Sequence, residues 1–319
     1  MSAAPGANQG WKDYWKEDRS ASCVPERAST AREIREWWIE RFAGMPDACR
    51  ILDVATGNGV LLAHAAIAAE REGRGFALTG VDLADIDPLR YVSDLPASLR
   101  EARFIGGIAA ERLPFGDAGF DVVVSQYGLE YADLHRALAE VERVLAGKGR
   151  LLWLAHSEDS SVVRQNREQG AEVEFLLAAG GPLHAMRQLV AKISKRKRLE
   201  HAGKRLRSAL VEAEEYCRAH PPAKVVDEVC TVLADTAQRW QFYHPDDLDE
   251  MLADSRKRLI AHRQRINDLQ RAVLSPERLE AVRARLRQAA WDDVAFSALR
   301  VGTASTPIGI LVEARRVAS

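Results

Sequence analysis

Short apolar runs recur along the first half of this chain at the lengths of buried strands, near residues 50 to 55, 77 to 82, 102 to 107, 120 to 126 and 149 to 156. After the first, second and fourth runs the apolar positions change to helical spacing, so strand and helix alternate. That alternation predicts a doubly wound α/β fold, a parallel sheet with helices on both faces. Ahead of the first strand, Ser29 or Thr30 can cap a helix through about Phe42, with Ile34, Trp37, Trp38 and Phe42 turned toward the sheet. Two further strands are expected at Val294 to Val301 and Ile308 to Arg316, joined by the turn-rich GTASTP. Between His156 and Trp291 the pattern changes to long charged helical segments, a large helical insertion between strands 5 and 6. Ser275, Pro276 and Glu277 supply a cap, a proline and an acid for one of its helices.

The first strand runs into RILDVATGNG, Arg50 to Gly59, where an acid precedes a tight turn with two glycines ahead of a helix. In a doubly wound sheet this turn borders the cofactor crevice, and glycine lets backbone amides approach a ligand closely. A second strand ends in GVDL, Gly80 to Leu83, which puts an acid about 29 residues after Asp53, where such folds bind ribose hydroxyls. A dinucleotide turn needs a third small residue for close helix packing, and here that position is the bulky Leu62. Asp53 also suits a cation better than a phosphate, so the implied cofactor is positively charged at its reactive end.

These residues resemble the class I methyltransferases that use S-adenosylmethionine (SAM), particularly the group sharing a domain with the ubiquinone and menaquinone biosynthesis enzymes. DVATGNG (Asp53 to Gly59) is similar to the family's first motif and GVDL to its second. AAERLPFGDAGFDVVVSQYGLEY, Ala109 to Tyr131, resembles the third motif, and AGKGRLLWLA, Ala146 to Ala155, the turn and fifth strand that follow. Ala109 stands where the family usually has an aspartate for the adenine amino group, which moves that contact elsewhere, Glu111 being the nearest acid. The resemblance implies a Rossmann-like seven-stranded, mostly parallel sheet with its last strand antiparallel. It also implies a SAM site. Asp53 with Ala55, Thr56, Gly57 and Gly59 would hold the methionyl part, Asp82 the ribose, and Leu83, Ala110, Glu111 and Gln126 the remaining contacts. FYHPDDLDEMLADS, Phe242 to Ser255, resembles the family's helix before the sixth strand. The division expected is a segment 1–47 with a possible lid, a SAM-binding core 48–160, a helical cap 161–290 and terminal strands 291–319.

Composition narrows the class little further. With 319 residues, 47% hydrophobic and a net charge of −1, bulk electrostatics directs the chain to neither nucleic acid nor membrane. Cys23, Cys49, Cys217 and Cys230 lack metal or redox spacing, so no metal site is expected and reduced thiols in a cytoplasmic setting are. The start, MSAAPGANQG, lacks the basic and apolar regions of a signal peptide, and no apolar run reaches membrane-spanning length.

Catalytic candidates follow from position. His156, at the end of the fifth strand, is expected to face an acceptor pocket, where an imidazole is suited to accept a proton; Tyr127 either walls that pocket or acts in it. Trp11, Tyr14 and Trp15 form an aromatic cluster that reads equally as a lid or as a helix pinned to the domain surface. KISKRKRLEHAGKRLR, Lys192 to Arg207, carries eight basic residues against Glu200. Without interleaved aromatic residues it reads as a solvated helix face offset by Glu212, Glu214 and Glu215. The expectation is methyl transfer to a small or medium-sized acceptor, at oxygen or nitrogen, with a homodimer through the insertion as one assembly. Alternatives are an RNA or protein methyltransferase docking through the basic helix, and a non-catalytic SAM-binding scaffold.

Overall fold

The computed structural model describes residues 11, 14–16, 28–288 and 291–317; Cys23, the first ten residues and the last two lie outside them. Strand β1 (Arg50–Val54) is buried at four of its five positions, as a strand covered on both faces must be. Ile51 points to one side of the sheet and Leu52 to the other. The same alternation in β4 (Phe120–Gln126) sends Val122 and Val124 toward the layer of α1 (Ala28–Ala43) and α2 (Val60–Glu72), and Val123 toward α4 (Leu134–Val144). Trp38 and Phe42 fill the first layer, and Leu138, Val141 and Trp153 the second. Between α2 and α4 lie β2 (Ala77–Val81), the one-turn α3 (Pro88–Tyr91) and β3 (Arg103–Ile105), shorter than the run expected at 102 to 107.

With β5 (Leu145–Ala155), β6 (Trp291–Leu299) and β7 (Gly309–Arg316) these strands form one seven-stranded sheet in the order β3-β2-β1-β4-β5-β7-β6. β1 pairs parallel with β2 and β4, β4 with β5, and β7 lies antiparallel between β5 and β6. This is the doubly wound, mostly parallel architecture expected. β5 begins before the glycine turn that was expected to precede it, and its pairing with β4 is irregular between Phe120 and Val122.

The insertion departs from expectation at its end. Phe242 to Ser255 does not form a separate helix before β6; its Pro245 opens α9 (Pro245–Ala272), an uninterrupted helix of 28 residues. The helix that precedes β6 is α10 (Pro276–Gln288), whose Val282 and Leu286 pack with the sheet's second layer. Ser275 caps it as its sequence implied, its hydroxyl accepting from Arg278 N and donating to Glu277.

The chain forms two compact units, residues 1–164 with 268–319, and residues 165–267. The second is narrower than the expected cap at 161–290 because both flanks of the insertion belong to the core. Val163, Leu269 and Val273 cluster there, and Leu274 N donates to His156 O at 2.9 Å. The second unit contains α6 (Pro182–Ser194), α7 (Glu200–Ala219) and α8 (Lys224–Gln238), which pack on one another and on parts of α5 (Ser161–Leu177) and α9. Among the described residues, no helix is long and apolar enough to cross a membrane.

Gly309 shows how closely the last strand is fitted. A Cβ there would lie 2.5 Å from Ala155 O and 3.3 Å from the Tyr127 ring. Gly309→Ala is expected to lower stability by about 1–3 kcal/mol through overpacking against backbone. Urea unfolding checks this, and an unchanged midpoint would show that β7 shifts freely.

Candidate cofactor and acceptor site

A cavity of 910 Å³ opens at the carboxyl ends of β1, β2 and β4, where open α/β sheets bind ligands. Its floor is the turn after β1. Gly57 and Gly59 take left-handed backbone angles, φ 51° and 77°, which side-chain-bearing residues rarely adopt. The buried Asp82 holds that turn to the end of β2: Oδ2 accepts from Gly57 N and Oδ1 from Ala84 N, both at 2.8 Å. Each oxygen retains acceptor capacity for a hydroxyl. Burial raises the Asp82 carboxyl to about 6, against the two amide hydrogen bonds that favour its charged form.

Asp53 lies beneath the turn. Its Oδ2 accepts from Thr56 Oγ1 at 2.6 Å, while Oδ1 has no hydrogen-bond partner among the described residues. Burial, with Asp82 nearby, pushes this carboxyl to about 8. An orphaned carboxylate oxygen below a cavity fits a cationic ligand group, and this is the observation on which the site suits the SAM ammonium. Asp53 itself does not line the cavity; Ala55, Thr56 and Asn58 do. Gly57 and Gly59 act through backbone shape, and a Cβ on Gly57 would meet the Trp15 indole at 2.5 Å.

Asp82, Leu83, Ala109, Ala110 and Glu111 line one side. Glu111 accepts from Asp133 N at 2.9 Å, so it also fixes the start of α4. The opposite wall is Gln126, Tyr127, Glu130 and Tyr131. Gln126 Oε1 accepts from Trp38 Nε1 at 2.6 Å, which makes that tryptophan a support for the site as well as a core residue. Tyr127 is a wall, since its hydroxyl donates to Ile308 O at 3.0 Å.

His156 is corrected by the structure. It is fully buried and absent from the cavity lining, its ring stacked on Tyr127 at 4.5 Å and edge-on to Tyr131 at 6.0 Å. The strand end that carries it turns inward because Glu130 holds it: Glu130 Oε1 accepts from His156 N at 2.8 Å and lies 2.7 Å from Nδ1. Oε2 of the same carboxylate accepts from Trp153 Nε1 at 3.0 Å. Burial would raise Glu130, yet the imidazole holds it below the usual carboxylate range. Nothing local in the sequence marks Glu130 for this role, because its partners come from another strand.

One contribution was not legible, and another was read only as one of two alternatives. Asp268, Arg271 and Arg278 reach the cavity from the end of the insertion. Arg278 donates to the carbonyls of Arg271, Ala272 and Val273 at the end of α9 and to Glu130 O at 3.0 Å. At the other side of the chain, Trp11 and Trp15 line the cavity, Trp11 edge-on to Tyr131 with ring centroids 5.9 Å apart. The aromatic cluster near the amino terminus is thus part of the site wall.

Residues 52–153 match the family model described as a methyltransferase domain. The α/β core is a class I SAM-dependent methyltransferase domain. The methyltransferase core is 39% identical over 108 residues to a demethylmenaquinone methyltransferase of Thermus thermophilus, covering 33% of this chain and 46% of that protein. It is 34% identical over 122 residues to a ubiquinone/menaquinone biosynthesis C-methyltransferase of Psychromonas ingrahamii, covering 36% and 45%. The chain thus spans about half the length of these curated relatives. A SAM-dependent methyltransferase of known structure from Aquifex aeolicus is 16% identical, with 39% of this chain and 64% of that one covered and a TM-score of 0.32.

Three outcomes are expected of the buried acids. The Asp53 carboxyl has a folded value of about 8 against an ordinary 3.8, so the empty fold binds more protons than the unfolded chain between those values and loses stability as pH rises through them. The stability of Asp53→Asn relative to wild type should therefore increase across that window in thermal scans without ligand. SAM binding near neutral pH should release a proton from wild type and none from the variant, seen by calorimetry in buffers of different ionisation enthalpy. His156→Ala should cost about 3–5 kcal/mol in urea unfolding, because it leaves a buried carboxylate short of a donor; a near-neutral effect would show that Glu130 is protonated or solvated.

Proposed function

We propose that this protein transfers a methyl group from SAM to a small or medium-sized acceptor held against Tyr127, Glu130 and Tyr131. The observation that carries the reading is one cavity with two chemically distinct sides, the acid-backed glycine turn and an aromatic wall. The names of these relatives support a small-molecule acceptor and add carbon to oxygen and nitrogen as candidate acceptor atoms.

SAM, when bound, supplies a methyl group on a positively charged sulfur. Asp53 and the turn at Ala55 to Gly59 hold the methionyl end. Asp82 accepts from the ribose hydroxyls, and Leu83 with Ala110 covers the adenine. Gln126, steadied by Trp38, and Tyr127, steadied by Ile308 O, keep the opposite wall in place. Displacement at a sulfonium carbon gains much of its rate from an aligned acceptor, so a rigid wall accounts for catalysis without a dedicated base. Trp11 and Trp15 exclude water from the cofactor side.

SAM and its demethylated product should each raise the thermal midpoint, and NAD should not. Asp82→Ala should weaken SAM binding by about 1–3 kcal/mol, as a charge-assisted hydrogen-bond acceptor is lost. Methyl-labelled SAM should then transfer label to members of a panel of hydroquinones, phenols and amines. Equal stabilisation by NAD would overturn the cofactor assignment, and tight SAM binding without transfer to any acceptor class would leave a scaffold.

A further inference from the structure

The second unit carries a surface that methyl transfer does not use. Its three helices α6, α7 and α8 run up and down. At one end, Leu183 near the start of α6 clusters with Ala213 and Tyr216 near the end of α7 and with Val226 at the start of α8. Toward the other, Ile193 at the end of α6 clusters with Leu199 and Ala202 at the start of α7 and with Ala237 and Trp240 after α8. The turn between α6 and α7 and the segment following α8 therefore emerge at the same end of the unit.

That end is basic and apolar together. Lys195, Arg196, Lys197 and Arg198 occupy the first turn, and Lys192, Lys204, Arg205 and Arg207 flank it on the helices; all eight are exposed. None of the eight has an ion-pair partner among the described residues, and Arg205 bonds only to the neutral Gln188 amide at 3.0 Å. The acids Glu212, Glu214 and Glu215, expected to offset them, lie further along α7 and form no ion pair with them. From the second segment Phe242 projects with 79% of its surface exposed, followed by Tyr243 at 43%. The nearest acids in sequence, Glu200 beside the basic turn and Asp246 and Asp247 after Tyr243, stand in the first turns of α7 and α9, where helix amides favour them.

We propose that this end of the helical unit docks on an anionic lipid bilayer, Phe242 entering the headgroup region while the Lys195 to Arg198 turn faces lipid phosphates. Unpaired cations have full charge to offer such a surface, and polybasic clusters of this size bind acidic leaflets. A projecting phenyl ring has no polar group to satisfy and is suited to the boundary between headgroups and acyl chains. Single-stranded nucleic acid is less well matched. Its binding surfaces alternate basic and stacking residues along a groove, whereas these two aromatic residues are adjacent and lie outside the basic run.

Sedimentation of the full chain with vesicles tests the proposal. Vesicles of phosphatidylcholine containing phosphatidylglycerol should carry the protein down, and phosphatidylcholine alone should not. Added salt should reverse binding. The double variant Lys195→Glu, Lys197→Glu should lose on the order of tenfold or more in partitioning, and Phe242→Ala a smaller share, with the SAM-induced thermal shift retained by both. If the double variant misfolds, Phe242→Ala and the salt titration on wild type decide. Equal sedimentation with both vesicle types, or no change in any variant, overturns the proposal. Salt-sensitive binding of polyuridine with the vesicles left unbound also overturns it, in favour of RNA.

Discussion

The Asp82 carboxylate is the constraint on which the candidate site depends. Two backbone amides from different segments, Gly57 N and Ala84 N, converge on it. It fixes the glycine turn after β1 to the end of β2 in the left-handed geometry that the turn requires. The cost is a carboxylate with little access to water, offset by the amides. Its proximity adds to the burial that raises Asp53 below the turn. One acid therefore sets the shape of the cradle and contributes to the charge behaviour of the other. An arrangement suited to a cation is consequently opposed to the stability of the empty cleft, since it leaves two acids poorly solvated when no cation is there.

Much of this was legible because it is local. The turn DVATGNG and the acid in GVDL announce themselves by spacing, and the strands by runs of β-branched and aliphatic residues. The strands after the insertion were legible too, since Val294 to Val301 and Ile308 to Arg316 alternate or run apolar with a clear turn between them. The helix boundaries inside the insertion were not. The residues from 256 to 272 lack a breaker and simply continue the helix begun at Pro245, while the cap at Ser275 starts the element that packs before β6.

His156 illustrates the other limit. Position at a strand end led to the expectation of a pocket-facing residue, but direction at a strand end is decided by what lies behind it. Glu130 and Trp153 are 26 and 3 residues away from it in sequence, and only their convergence turns the imidazole inward. A buried carboxylate–imidazole pair inside the wall stands where a base was expected in the cavity. Tyr127, held between that imidazole and Ile308 O, is rigid for the same reason. Arg278 extends the network to the joint between α9 and α10, so the wall is braced from a segment more than a hundred residues downstream.

The position of β7 in the sheet has a consequence for synthesis. It is made after β6, yet it lies between β5 and β6, pairing with both. While the helical insertion is being translated, β5 has no neighbour on that side, and its row of amides and carbonyls is open to another chain. Sheets closed by such distant pairing fold slowly. The nascent chain thus carries an unfinished edge until β7 has left the ribosome, which makes that interval the one in which chaperone capture matters most.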